Sequence, residues 1–211
     1  MIALIDYGSG NLRSVYNALC VQGGEVEILS SPAHLERADA VVLPGVGAFG
    51  DCVSQIRERG FWDPLQEWIT NDRPFLGICV GYQVLFEGSE EARGIAGMGF
   101  FKGQVRKFKT PGLKVPQIGW NRLELSQAHA LWEGLPADPY VYFVHSFYPE
   151  ALEPKEVTAR CNYGETFAAA AARGRVSGVQ FHPEKSQSVG LGILRNFMRQ
   201  TPSSMSTLAT G

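Results

Sequence analysis

No run of apolar residues in the chain approaches the roughly 20 that a membrane-spanning helix needs. A membrane partner is therefore not expected. The first residues, MIALIDYGSGN, carry no basic segment and no small-residue cleavage site, so no secretory signal is expected. Cysteine is scarce: Cys20, Cys52, Cys79 and Cys161 lie far apart and form no C-x-x-C pair. That spacing argues against a disulfide framework and a zinc site, and points to a cytoplasmic protein with reduced thiols. An excess of one charge is also missing. Lys and Arg number 19 against 21 Asp and Glu, and local basic clusters such as KGQVRKFK at 102–109 are short and read as a solvated strand or loop. Nothing in that balance suits a nucleic-acid partner. No repeat or linker divides the chain, so residues 1–200 are expected to form one domain and the small polar tail, 201–211, to be disordered.

Hydrophobic residues make up 45% of the chain, enough for a core in a domain of this size. In the front half, strand and helix patterns alternate. IALIDY (2–7), EVEILS (25–30), DAVVLPG (39–45) and PFLGIC (74–79) read as strands. NLRSVYNALCVQG (11–23), DCVSQIRERG, DPLQEWITND and VGYQVLFEGSEEA (80–92) read as helices. This alternation implies an α/β fold, a mostly parallel central sheet with helices on both faces. After about residue 95 the texture changes. GFFKGQVRKFK, KVPQIGWNRLEL, YVYFVHSFYPE, KEVTARCNYGE and VSGVQFHPE read as strands separated by turns, an antiparallel strand-rich C-terminal part. The alanine run at 168–172 has helical propensity, but it sits between Phe167 and the turn ARGR and reads as a strand. SVGLGILRNFMRQ (188–200) reads as a closing amphipathic helix.

Residues 43–51, LPGVGAFGD, spell G-x-G-x-x-G at Gly45, Gly47 and Gly50 after an apolar strand, the written form of a dinucleotide-binding fingerprint. That fingerprint also needs an Asp or Glu at the end of the next strand, about 20 residues on. Here the next strand ends in Cys79. NAD is therefore not expected, and no other cofactor or metal is suggested. The glycines read instead as a segment where backbone closely approaches a ligand, or turns N–H groups outward, near neighbouring strand ends.

GICVG (77–81) sets a cysteine at a strand-to-helix turn with a glycine two residues to either side. Such spacing permits a sharp elbow that lifts the Cys79 thiol above the sheet. A helix N-terminus there favours the thiolate, and the next N–H can help to bind an oxyanion. The other three cysteines read as inert. A nucleophilic thiol needs a base. His34 and His129 lie in polar stretches and read as exposed, while His145, in YFVHSF, reads as a satisfied strand histidine. His182, in GVQFHPEKS, comes at a strand end that Pro183 stops, with Glu184 two residues on. Pro183 holds His182 extended, and in an extended segment residues i and i+2 point to one side. Cys79, His182 and Glu184 then make nucleophile, base and orienting acid. In an α/β-hydrolase the acid precedes the histidine and the nucleophile is usually serine, which argues against that class.

GICVGYQ together with FHPE resembles the class I (triad) glutamine amidotransferases, whose glutaminase domains hydrolyse glutamine to glutamate and ammonia. DYGSGNL, LPGVGAFG, GICVGYQVLFEGSEE, IGWN, YFVHSFY and FHPEKS are similar, more narrowly, to the glutaminase subunits of imidazole glycerol phosphate synthase in histidine biosynthesis. This likeness runs from residue 2 to about 198, and Val80 and Tyr82 stand where that family more often has Leu and Met. The resemblance implies a Cys79–His182–Glu184 glutaminase, with backbone N–H groups around Val46, Gly47 and Val80 as oxyanion donors. It implies that Gln83 and Glu91, with Gly45, Gly47 and the backbone of Ser146 and Phe147, hold the glutamine. It also implies a (β/α)8-barrel cyclase bound as a heterodimer, which uses the ammonia to make imidazole glycerol phosphate and an aminoimidazole carboxamide ribotide. Asn11, Trp120, Tyr142 and Lys185 would lie near that partner; otherwise they read as a turn cap, two core aromatics and a solvated lysine. Three other readings stand beside this one: a glutaminase of another synthase, such as the anthranilate or vitamin B6 type; a thiol hydrolase on the same fold; and a non-catalytic subunit. DYGSGN and YFVHSF speak against the first, Gln83 and the oxyanion strand against the second, and the intact triad against the third.

Overall fold

The computed structural model describes residues 1–150 and 153–201. The expected disordered tail therefore lies outside the described residues, except for Thr201, whose hydroxyl donates to the Met198 carbonyl (2.8 Å). The front half runs β1 (Ile2–Ile5), α1 (Leu12–Val21), β2 (Val26–Leu29), β3 (Ala40–Leu43), α2 (Phe49–Glu58), α3 (Trp62–Thr70), β4 (Phe75–Ile78) and α4 (Val80–Gln83). Short strands follow: β5 (Gly88–Ser89), β6 (Gln104–Lys107), β7 (Gln117–Arg122), β8 (Glu124–Leu125), β9 (Tyr140–His145) and β10 (Phe147–Pro149). The chain closes with β11 (Val157–Asn162), β12 (Thr166–Arg173), β13 (Val176–Val179) and α5 (Gln187–Met198).

Eight strands form one sheet in the order β2-β1-β3-β4-β13-β12-β11-β8. The first five are parallel and the rest antiparallel, so the C-terminal strands extend the parallel sheet rather than build a separate layer. β1, β3, β4 and β13 bury every residue, as strands covered on both faces should. Helices cover both faces; α1 packs on α5, and α2 on α4. One apolar cluster runs through these layers from Ile2 to Phe197. The alanine run is indeed a strand, β12, because ladders to β11 and β13 on its two sides outweigh a weak helical propensity. β10-β6-β5 form a small second sheet, and β7 and β9 form a two-stranded ribbon.

One expectation fails. The helix read over 80–92 is a single turn, α4. Beyond it the carbonyls of Val84, Leu85 and Phe86 accept from the N–H groups of Met98, Phe101 and Gly99 at 2.7, 3.0 and 3.0 Å. Gly88 and Ser89 then pair with Gln104 and Val105. Long-range partners thus take the carbonyls that a longer helix would have used internally.

Candidate active site

Cys79 directly follows β4 and opens α4. Its φ of 55° and ψ of −108° lie outside the regions that side-chain-bearing residues ordinarily adopt. The flanking glycines allow this elbow to sit flat on the sheet. A β-carbon on Gly77 would meet the Gly81 carbonyl oxygen at 2.6 Å, and one on Gly81 would collide with the Leu43 carbonyl of β3. The helix behind the thiol is only one turn long, so the dipole expected from the sequence contributes little.

His182 lies three residues past β13, and its N–H donates to the Tyr142 carbonyl of β9 (2.9 Å). Its backbone is extended as expected, but Pro183 starts a 3-10 turn, Pro183–Lys185, so Glu184 is not in an extended segment. The turn nonetheless brings its carboxylate back: His182 Nδ1 and Glu184 Oε1 are 2.7 Å apart. Both side chains are buried, at 3% and 0% exposure. With Nδ1 occupied, Nε2 remains free to face Cys79, which lines the same cavity and whose sulfur lies 3.9 Å from the Val144 carbonyl. Burial by itself would lower the His182 pKa, but Cys79 and Glu184 outweigh it and raise it from 6.5 to about 10. The imidazole thus holds its proton at neutral pH beside the sulfur, an arrangement that activates thiols. Sequence reading missed Gln180, whose Nε2 lies 3.8 Å from Cys79 Sγ. Its signal was available, two residues before His182 on the same strand end.

Cys79, His182, Val46, Gly47 and Val80 line one cavity of about 270 Å³ with Gln83, Glu91, Ser146, Phe147 and Lys185. That is small beside the roughly 300–1,000 Å³ of drug-sized sites and suits an amino acid. A wider cleft of about 530 Å³, beside Asp72, Phe100 and Arg173, opens at the opposite end of β4, away from Cys79. Gly45 is buried and does not line the small cavity. Its carbonyl accepts the Val80 N–H at 3.4 Å, so this expected oxyanion donor faces a backbone oxygen. Gly47 takes a φ of 96°, which a side chain would oppose. Gln83 Nε2 donates to the Phe147 carbonyl (3.0 Å) and to Gln180 Oε1 (3.1 Å), leaving Gln83 Oε1 to accept. Glu91 Oε2 accepts the Phe49 N–H at 2.7 Å, at the start of α2.

His145 is satisfied as expected: Nδ1 lies 2.8 Å from the Phe147 carbonyl, Nε2 3.0 Å from Gln117 Oε1, and burial lowers its pKa to about 4. His34 is exposed. His129, expected to be exposed, is half-buried and accepts the Leu131 N–H at 3.3 Å.

The glutamine amidotransferase class-I family model matches residues 3–201. The chain belongs to this family. It is 50% identical over 203 residues to the imidazole glycerol phosphate synthase subunit HisH of Microcystis aeruginosa, covering 95% of each chain. To subunit HisH 1 of Pseudomonas aeruginosa it is 49% identical over 204 residues, covering 93% of this chain and 95% of the other. More distant solved structures share the fold. A glutamine amidotransferase crystal structure superposes with a TM-score of 0.75 at 21% identity, covering 94% of this chain and 98% of that one. PurLQS from Thermotoga maritima gives 0.73 at 20%, covering 98% of both.

In this class-I glutamine amidotransferase, an apolar face lies beside the cavity. Ile118, Trp120 and Arg122 of β7 pair with Val144, Tyr142 and Tyr140 of β9 on one side of the ribbon. Ile118 is 63% exposed, Tyr140 51% and Trp120 46%, while the other side of β9 is buried. Trp120 is therefore no core aromatic; it stands edge-on to the half-buried Tyr142 at 6.0 Å. Val144 joins this face to the cavity. Lys185 is exposed at the cavity, whereas Asn11 reaches inward, its Nδ2 donating to Glu184 Oε1. No helix among the described residues is long and apolar enough to cross a membrane.

Proposed function

We propose that the chain is the glutaminase subunit of an imidazole glycerol phosphate synthase. It hydrolyses glutamine to glutamate and ammonia, and a (β/α)8-barrel cyclase bound as a heterodimer uses the ammonia to make imidazole glycerol phosphate and aminoimidazole carboxamide ribotide. The observation that carries this reading is the Cys79–His182–Glu184 constellation, opening on one small cavity in a chain half identical to HisH subunits. Cys79 Sγ attacks the side-chain amide carbon of glutamine. His182 protonates the departing ammonia and leaves a glutamyl thioester. His182 then takes a proton from water as it attacks the thioester, which frees glutamate and restores the thiol.

The cavity supports glutamine as substrate. Gln83 Oε1 and the second oxygen of Glu91 are acceptors suited to an α-ammonium, and the backbone at Ser146 and Phe147 can complete the grip. Val46, Gly47 and Val80 are the proposed oxyanion donors, with the Val80 N–H first released from Gly45. Gly45 would act through that release, since it does not line the cavity. The exposed Trp120–Tyr142 face next to Val144 is the proposed cyclase surface, with Lys185 at its edge. Residues 1–200 are proposed to fold as one cytoplasmic unit, supported by the continuous apolar cluster.

The test is glutamate release by the purified chain, alone and with the cyclase and its nucleotide ligand, with Cys79→Ala as control. Release that is strong only in the complex and absent in the variant supports the proposal. Equal release with and without the cyclase would keep the triad and reject that partner.

A further inference from the structure

We infer that Asn11 is a positioning residue of the glutaminase, holding the Glu184 carboxylate in line with His182. The inference rests on the triad reading above. Asn11 adopts a left-handed backbone, with φ 70° and ψ 2°, at the start of α1. Its main-chain carbonyl accepts from Ser14 and Val15 at 3.1 and 3.4 Å and so begins the helix. Its side chain makes no cap. The amide is instead committed across 173 residues of sequence to Glu184 Oε1. That same oxygen receives His182 Nδ1, while Glu184 Oε2 is buried with no hydrogen-bond partner among the described residues. A carboxylate oxygen with a single donor can swing about that one bond. The Asn11 amide is a second donor on the same oxygen, reaching it from another element, and so fixes its position, as orienting groups in triads must be fixed.

The loop bearing Asn11 also lies against the proposed oxyanion strand. A β-carbon on Gly10 would stand 3.4 Å from a Val46 methyl, an ordinary packing distance. One loop thus touches both halves of the catalytic machinery.

Two substitutions keep the unusual backbone, since glycine and aspartate both tolerate left-handed angles. Asn11→Gly removes only the amide. Alkylation of Cys79 by iodoacetamide in the isolated chain at neutral pH should slow by about tenfold, the effect of losing a hydrogen bond to a charged group. In the cyclase complex, kcat for glutamine should fall by a similar factor with KM within about twofold, the pattern of a lost transition-state contribution. Asn11→Asp puts a second carboxylate where a donor stood. Two adjacent carboxylates share a proton, so the acidic limb of glutamine hydrolysis should move up by about one pH unit or more. The other titratable groups near that carboxylate are His182 and Lys185 of its own turn, Cys79 across the imidazole, and His145 of β9; none is altered in this variant. A wild-type alkylation rate in Asn11→Gly, or an unmoved acidic limb in Asn11→Asp, would overturn the inference and leave Asn11 a docking residue. Alkylation needs neither glutamine nor cyclase, so it reads the triad even if the chain serves another synthase.

Discussion

At the scale of single residues, the proposed chemistry depends on a proton held where burial would expel it. The His182 pKa is about 10 because Cys79 and Glu184 overcome desolvation. Glu184→Gln removes one of those supports. The His182 titration midpoint, followed by NMR, should then fall by at least about one unit, and kcat should drop by about 10²–10⁴-fold. The sign for stability follows from the raised value. A histidine whose folded pKa exceeds its unfolded one favours the fold fully below about pH 6.5, and loses that contribution as pH rises through about 10. The gap in urea midpoint between the chain and Glu184→Gln should accordingly narrow from pH 6.5 to pH 10. A gap that stays constant would mean that the carboxylate orients the imidazole without holding its charge. Cys79, His182 and Glu184 were legible in the sequence because short motifs carry them. Asn11–Glu184 was not, since it joins residues 173 positions apart through a contact that no local pattern records.

At the scale of elements, the strands and most helices were readable from apolar periodicity, and the helix that was not, α4, has a definite cause. α4 stops after one turn because Met98, Gly99 and Phe101 offer N–H donors from a distant loop, and helical propensity weighs less than those bonds. The elbow itself depends on close backbone approach rather than propensity. Gly81→Ala drives a methyl into the Leu43 carbonyl, with little room to relax. We expect a loss of about 1–3 kcal/mol in chemical denaturation, together with a sharp fall in Cys79 alkylation as α4 lifts from β3. The β7–β9 ribbon makes the opposite prediction. Trp120 is half in solvent, so Trp120→Ala should leave stability within about 0.5 kcal/mol. If the ribbon is the cyclase surface, the same change should weaken binding by about tenfold or more, as for a central aromatic anchor. Calorimetry of the complex decides this, and unchanged affinity would move the docking surface elsewhere.

At the scale of the whole molecule, the proposed function would set up nucleophile activation and oxyanion stabilisation separately. Of the proposed triad, the His182 imidazole and Glu184 carboxylate are already in contact in the isolated chain, and Cys79 lines the same cavity. The proposed oxyanion donors are not all free, because the Val80 N–H faces the Gly45 carbonyl at 3.4 Å, a long bond that little force would break. These two facts predict that two reactions at the same sulfur will diverge. Alkylation by iodoacetamide is a displacement at carbon with no oxyanion, so it should run readily in the chain alone and gain little from the cyclase. Amide hydrolysis passes through a tetrahedral oxyanion, and loss of one donor costs roughly 10²–10³ in rate. Glutamine turnover should therefore rise by about that factor when the cyclase and its nucleotide ligand bind, while alkylation changes by less than about threefold. Parallel rises in both rates would place the control at the triad instead. In that case Asn11, which reaches Glu184 from the loop lying against Val46, would be the link to examine.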